Sequence, residues 1–210
     1  ERLEVAAELR RIAADAGDLE LELEGAGWTV VDLLELGDVA GADIQIDAAS
    51  ALAAVVQRPL YLWWTSLFRG ARAALAGDFD LAERLAQETL AIGQRGQAEN
   101  ALHYYAQSMF NIRREQGRLA EVEGAVRGFI ELYPAIPAWR SALSLLLVEL
   151  GRPEEARAEF ERIAEGGFSA FPRDANWLIA VTLLAEVCAA LGDAPRAGEL
   201  YELLSPYAGR

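Results

Sequence analysis

Lysine is absent from this 210-residue chain, and all 19 of its basic residues are arginines. A nucleotide-binding P-loop, a Schiff-base catalyst and a serine–lysine dyad each need a lysine amine, so the sequence excludes these three kinds of site. Cysteine and histidine occur once each, as Cys188 and His103. No disulfide can form within the chain, and the usual zinc-ligand sets of several Cys and His side chains cannot be assembled. We therefore expect neither a metal nor a cofactor.

Long apolar runs are also missing, because no stretch reaches the roughly 18 to 20 uninterrupted apolar residues that a membrane span needs. Nothing at the start resembles a signal peptide. We expect a cytoplasmic location without membrane contact. The chain does not begin with Met and stops at Arg210, so we also expect it to be a fragment of a longer protein.

Acidic residues outnumber basic ones by 33 to 19, which gives a net charge of −14. Affinity for nucleic acid comes from clustered cationic side chains that replace counterions on phosphates, so this balance argues against direct nucleic-acid binding. It favours a basic partner instead. The 53% of hydrophobic residues is enough for a sizeable core.

Glycines recur at a nearly regular spacing, and each ends one apolar segment shortly before the next begins. They stand at positions 37, 77, 117, 151 and 192, so the intervals are 40, 40, 34 and 41 residues. Glycine can adopt the left-handed conformation that ends a helix, and Asp or Pro can begin the next one. A residue five positions after each Gly, small in most copies, allows close helix packing, and a residue four further on continues the same inward face. These pairs are Ala42 and Ile46, Ala82 and Ala86, Val122 and Val126, Ala156 and Phe160, and Ala197 and Tyr201.

Hydrophobic periodicity and breaker residues predict an all-α chain with no strand pattern. The predicted helices lie near residues 1–16, 26–36, 38–56, 59–76, 79–93, 97–116, 119–132, 137–150, 153–165, 174–191 and 193–204.

The third full copy of the repeat, with Gly151, Ala156 and Phe160, resembles the tetratricopeptide-repeat family, as does Pro134 after the second helix of the preceding copy. Val122, in place of a small Ala, departs from that motif. The resemblance implies a right-handed superhelical solenoid of antiparallel helix pairs with about 10 to 11 helices. It implies a single domain over residues 1–210, with degenerate helices in 1–56 and clearer repeats in 58–210.

Several short blocks, in order along the chain, carry a second resemblance. They resemble the C-terminal helical-repeat region of large bacterial ATP-binding regulators, including MalT-like LuxR-type transcription factors and cyclase–ATPase proteins. The resemblance implies an ATPase module before the repeats and sometimes a DNA-binding domain after them, both outside this chain. The blocks are 103–107, 113–119, 133–134 with 138–140, 172–178, and 200–201 with 206–210.

Catalytic chemistry is poorly supported by the residues present. His103 has no nucleophile in a recognisable motif, and Glu99 one turn earlier suits a helix ion pair or a groove contact better than catalysis. The pair Asp78 and Asp80 lacks the downstream Gly and Glu of a calcium loop. Most other carboxylates are expected on solvated helix faces or at helix caps. We expect no enzyme.

Aromatic residues concentrate on the first helices of the pairs, which line the concave surface of tetratricopeptide arrays. These rings either hold a ligand or pack between repeats, and packing is the commoner use of any single ring. The candidate binding residues are Trp63, Trp64, His103, Tyr104, Gln107, Asn111, Arg113, Trp139, Arg140 and Trp177.

Two functions remain open on this sequence. One is a non-catalytic regulatory scaffold that binds a peptide or partner domain on its concave face, and the ATPase module of its own parent protein is one candidate partner. It predicts a continuous open groove. The other is an effector-sensing domain of the same regulator, which predicts a closed, partly apolar pocket for a small molecule.

Overall fold

The computed structural model describes residues 1–96 and 98–208, and within them the chain forms eleven α-helices and no strand. The all-helical prediction is therefore confirmed. The helices are α1 (Arg2–Ala16), α2 (Leu19–Glu35), α3 (Val39–Val56), α4 (Pro59–Leu75), α5 (Phe79–Gly93), α6 (Ala98–Glu115), α7 (Glu123–Leu132), α8 (Pro137–Glu149), α9 (Pro153–Ala164), α10 (Trp177–Leu191) and α11 (Ala194–Leu204). Short 3₁₀ turns lie at Leu119–Val122, Phe168–Ala170 and Ser205–Tyr207. Residue 97 of the predicted helix 97–116, and residues 209 and 210 of the last resemblance block, lie outside the described residues.

The repeated glycines end helices as the sequence predicts. Gly77 has a φ of 78°, and the N–H of the next residue, Asp78, donates to the carbonyl of Ala73 at 3.0 Å. This left-handed turn satisfies carbonyls at the end of α4. The Asp78 side chain then accepts from the N–H of Leu81 at 3.0 Å and caps the start of α5. Gly17, Gly37, Gly117, Gly151 and Gly192 also have positive φ.

The predicted start of the second helix is wrong. We expected it near residue 26, but α2 begins at Leu19, where Asp18 accepts from the N–H of Leu21 at 3.0 Å. Gly25 and Gly27 lie inside the helix instead of breaking it. A Cβ on Gly25 would stand 2.5 Å from Cγ of Arg10, so the missing side chain lets α1 approach α2 closely.

The helices divide into two compact units, Glu1–Ile112 and Arg113–Arg210, with the boundary inside α6. In the first unit each helix from α1 to α4 packs on the next one along the chain. Met109 and Ile112 of α6 share a buried cluster with residues of α4 and α5. In the second unit α8 packs against α7, α9 and α10, and α10 packs against α11. The expectation of one continuous domain, with degenerate helices before residue 57, stays a prediction.

Most of the predicted inward stripes are buried. Ala42, Ala82 and Ala156 are at most 1% exposed, and Ile46, Ala86, Val126 and Phe160 are also buried. The prediction for the last copy of the repeat is wrong, because Tyr201 is 69% exposed whereas its neighbour Leu200 is 2% exposed.

Two polar anchors explain the different orientation of α11. Arg196 pairs with Glu161 at 2.5 Å and lies over the ring of Phe160. Glu199 accepts from the backbone N–H of Phe168 at 2.9 Å. These contacts direct the face that carries Arg196, Glu199 and Leu200 toward the rest of the second unit, so Tyr201 points outward.

Helix α3 is apolar in composition, although Asp43 and Asp47 interrupt its apolar residues. Among the described residues it is the one helix long and apolar enough to cross a membrane, by length and composition alone. Asp43 of this helix pairs with Arg72 of α4 at 2.6 Å. Ala49 and Ala53 are buried in a cluster with residues of α2 and α4. These contacts hold one face of α3 against its neighbours, and 22% of the helix is buried.

Candidate binding groove

Three helices of the first unit enclose an aromatic hollow of about 320 Å³. Five of its eight lining residues are aromatic, and none carries a formal charge. We call it the aromatic hollow. It is lined by Gly27, Trp28 and Val31 of α2, by Trp63, Trp64, Leu67 and Phe68 of α4, and by Tyr104 of α6.

Helical spacing brings these side chains to one place. On α4, Trp64 and Phe68 are four residues apart, as are Trp63 and Leu67, so the four lie on one strip of the helix surface. Gly27 of α2 admits the Trp64 ring, because a Cβ there would lie 3.3 Å from the ring atom Cε3. Trp63 contacts Tyr104 edge to face, with ring centroids 5.3 Å apart, so α4 is tied to α6.

The rings differ in exposure. Trp63 is 4% exposed and belongs to the core, whereas Trp28 is 56% and Tyr104 is 41% exposed. Exposure of two large rings at one hollow is unfavourable in water unless something covers them. These two are the most exposed rings of the site, and Trp64 and Phe68 are half-buried.

A second hollow of about 210 Å³ adjoins the first and shares Leu67 and Tyr104 with it. Its character is more polar, since Gln107, Ser108 and Asn111 of α6 line it together with small residues of α4 and α5. The small residues include Gly70, Ala71, Ala74, Ala82 and Ala86. We call the aromatic hollow and this second hollow together the groove.

Carboxylates lie beside the aromatic end of the groove. The pKa of Tyr61 is raised by burial and by the negative charges of Glu20 and Glu24 on α2. The Tyr61 ring stands edge to face with Trp64, with centroids 6.1 Å apart, and Glu24 stands one turn before Trp28 on α2. Arg58 is the cation nearby, and it pairs with Glu20 at 3.3 Å.

The groove gathers five of the ten predicted binding residues: Trp63, Trp64, Tyr104, Gln107 and Asn111. His103, on the same helix, is half-buried and does not line either hollow. Burial lowers the pKa of His103, and the charge of Glu99 opposes that effect.

The other four predicted residues lie in the second unit, where the structure shows them in packing or ion pairs. Trp139 is buried and stacks on Phe129 with centroids 4.4 Å apart. Trp177 is buried beside Tyr207. These two large rings are buried in the second unit, and the expectation that they contribute to a binding surface stays a prediction.

The two arginines of this set are held by acidic neighbours. Arg113 is 8% exposed, and its Nε lies 3.2 Å from a carboxylate oxygen of Glu121. Arg140 is paired with Glu159, which also pairs with Arg162. Each guanidinium is thus already engaged within the second unit.

Five residues that line the aromatic hollow were not predicted: Gly27, Trp28, Val31, Leu67 and Phe68. Their signal was present, because Gly27, Trp28 and Val31 share one face of α2 and Phe68 follows Trp64 by one turn. Gly27, Trp28 and Val31 lie within the helix predicted near residues 26–36, but that helix belongs to the part of the chain where the repeat is degenerate.

No group of three or more His, Cys, Asp or Glu side chains in residues 1–96 and 98–208 is arranged to hold a metal ion. The single thiol, Cys188, is 2% exposed in the second unit, and burial raises its pKa.

Comparisons of the chain with protein-family models, with curated proteins and with solved structures find no match. The tetratricopeptide-like and MalT-like resemblances therefore stay predictions.

Proposed function

We propose that this chain is a non-catalytic binding module whose groove holds an extended segment of a partner protein. The observation that supports this most directly is the groove itself, with exposed rings at one end and amide and hydroxyl groups at the other. Burying the rings of Trp28 and Tyr104 supplies affinity, because apolar surface leaves water. Gln107 and Asn111 supply donors and acceptors that orient a peptide backbone.

The dimensions suit a peptide. Trp64 and Ala71 lie in the two hollows, seven residues apart on α4, which is about 10 Å at 1.5 Å per residue. An extended peptide covers that distance in about three residues at roughly 3.3 Å each. Side chains on one side of an extended backbone are about 6.6 Å apart at a spacing of two residues and about 13 Å apart at a spacing of four, so the separation of the two hollows falls between these values.

The wider setting is also proposed. We infer that the helix pairs form a tetratricopeptide-like right-handed superhelix in the cytoplasm. The MalT-like resemblance implies that the natural occupant is a segment of the ATPase module of the parent regulator or of another signalling protein.

A second candidate is a small-molecule effector held in the aromatic hollow. Its volume of about 320 Å³ lies at the lower end of the range of ligand pockets, about 300–1,000 Å³. Native mass spectrometry of the purified chain separates the two, since a stoichiometric small-molecule adduct supports the effector and not the peptide.

The test of the peptide proposal is selection of a displayed library of 12-residue peptides on the chain. Ala71 lines the second hollow and is exposed, so Ala71→Arg blocks the groove at little cost to the fold. Ala54→Arg, at an exposed position of α3 outside both hollows, is the matched control. We expect selected peptides to lose at least about tenfold in affinity for Ala71→Arg and to bind Ala54→Arg as they bind the unchanged chain. Equal binding of the selected peptides to both variants would contradict the proposal.

A further inference from the structure

The aromatic hollow combines a set of rings with an absence of lining cations, and both features bear on what it holds. Trp28, Trp64, Phe68 and Tyr104 are joined by Trp63, and no arginine lines the cavity. Aromatic faces carry negative electrostatic potential, so rings around a small cavity attract organic cations as well as apolar groups. The lining alone therefore permits an apolar or a cationic occupant.

The distribution of charge favours the cation. Residues 1–112 contain 18 Asp and Glu and 8 Arg, so this unit carries a charge of −10 out of the −14 of the whole chain. Glu24 stands one turn before Trp28 on α2, and its charge acts on Tyr61, whose ring contacts Trp64. A negative potential around a cavity raises the local concentration of positive groups and disfavours negative ones.

Among cations, a guanidinium fits these surroundings best. It is planar, stacks on aromatic rings and is more weakly hydrated than an ammonium, so its transfer from water into the hollow costs less. Its N–H groups at the edge of the plane remain available to a carboxylate such as Glu24 while its face rests on a ring.

We propose that the aromatic hollow binds an arginine side chain of the partner segment, with the guanidinium among the rings of Trp28, Trp64 and Tyr104. This inference rests on the proposed function and specifies the residue that anchors the partner. The remaining contacts of the segment then lie along α6 in the second hollow.

The test uses the whole chain and two probes of nearly the same shape, N-acetyl-arginine amide and N-acetyl-citrulline amide. Citrulline keeps the size and planarity of arginine and lacks its charge. The five tryptophans give indole N–H signals that can be followed by NMR during titration. Trp139 and Trp177, buried in the second unit, serve as internal references.

We expect saturable shifts at Trp28 and Trp64 with the arginine probe, and binding of the citrulline probe weaker by about fivefold or more. We expect Trp28→Ala to weaken binding of the arginine probe. The variant keeps the fold because the Trp28 side chain is largely exposed. Tyr201→Ala removes an equally exposed ring in the second unit and leaves binding unchanged.

Three results would overturn the inference: equal binding of the two probes, no shift with either, or binding of choline without binding of the arginine probe. The library selection distinguishes this failure from failure of the function. Groove-dependent peptides without a basic residue contradict the arginine anchor and leave the binding module intact. Absence of groove-dependent peptides contradicts the binding module itself.

Discussion

Gly93 is the residue at which α5 meets the innermost ring of the groove. A Cβ built on Gly93 would lie 2.5 Å from Cβ of Ala101 and 2.7 Å from Nε1 of Trp63. Both distances are shorter than atoms in contact allow. The close approach holds Trp63 in the core, and Trp63 in turn positions Tyr104 through their edge-to-face contact. A glycine that lines neither hollow of the groove therefore fixes the arrangement of its rings.

Gly93→Ala tests this close approach. The added methyl group must displace α6 or the Trp63 ring, and overpacking of this kind costs about 1–3 kcal/mol of unfolding free energy. Gly70→Ala is the matched control, because its Cβ would meet Leu85 at an ordinary 3.5 Å. We expect this control to be neutral or to stabilise the chain by about 0.5–1 kcal/mol, since alanine loses less entropy in a helix. Denaturant unfolding measures both, and equal stability of the two variants would contradict the packing described.

Residue chemistry alone gave part of the candidate site, since five of the ten predicted residues line the groove. Trp63, Trp64 and Tyr104 were expected together because aromatic residues recur on alternate helices, and the structure places them in one hollow. The same reasoning placed Trp139 and Trp177 on a binding surface, and the structure shows their rings buried in the second unit. Sequence shows where large rings are, but burial depends on the neighbouring helices, which a single chain pattern does not reveal.

At the scale of the element, turn chemistry made most helices predictable. A glycine in the left-handed conformation, followed by a capping Asp or a Pro in the first turn, sets both the end of one helix and the start of the next. Where glycine served packing instead, as at Gly25 and Gly27, the predicted start of α2 was wrong. Sequence composition cannot distinguish a glycine that ends a helix from one that allows a neighbouring helix or side chain to pack closely.

In helix α11 the sequence pattern likewise did not show which face of the helix is buried, and this can be tested directly. The repeat spacing places Tyr201 inward, but Arg196 and Glu199 anchor the helix so that Leu200 is buried. We expect Leu200→Ala to cost about 2–5 kcal/mol of unfolding free energy, as truncation of a buried leucine does. Tyr201→Ala should change it by no more than about 0.5 kcal/mol. Thermal or denaturant unfolding measures both losses of stability. A larger loss for Tyr201→Ala than for Leu200→Ala would support the orientation expected from the repeat.

At the scale of the whole molecule, the chain is acidic and the excess lies mainly in residues 1–112, which contain the groove. Many of the arginines form ion pairs with carboxylates, as Arg72 does with Asp43 and Arg58 does with Glu20. The unpaired excess is therefore negative. Such a field acts over distances beyond direct contact, so it influences how a partner approaches as well as how it binds.

This field gives a kinetic prediction for any arginine-containing peptide selected on the groove. Raising salt from about 0.02 M to about 0.5 M shortens the range of the field well below 10 Å, so steering of the peptide is lost. We expect the association rate constant to fall by about tenfold and the dissociation rate constant to change much less. Surface plasmon resonance or stopped-flow fluorescence separates the two constants. The same peptide with citrulline in place of arginine is the control, and its association should depend only weakly on salt. If both peptides respond equally, the field around the groove does not select the charge of its partner, and the acidic composition serves some other purpose.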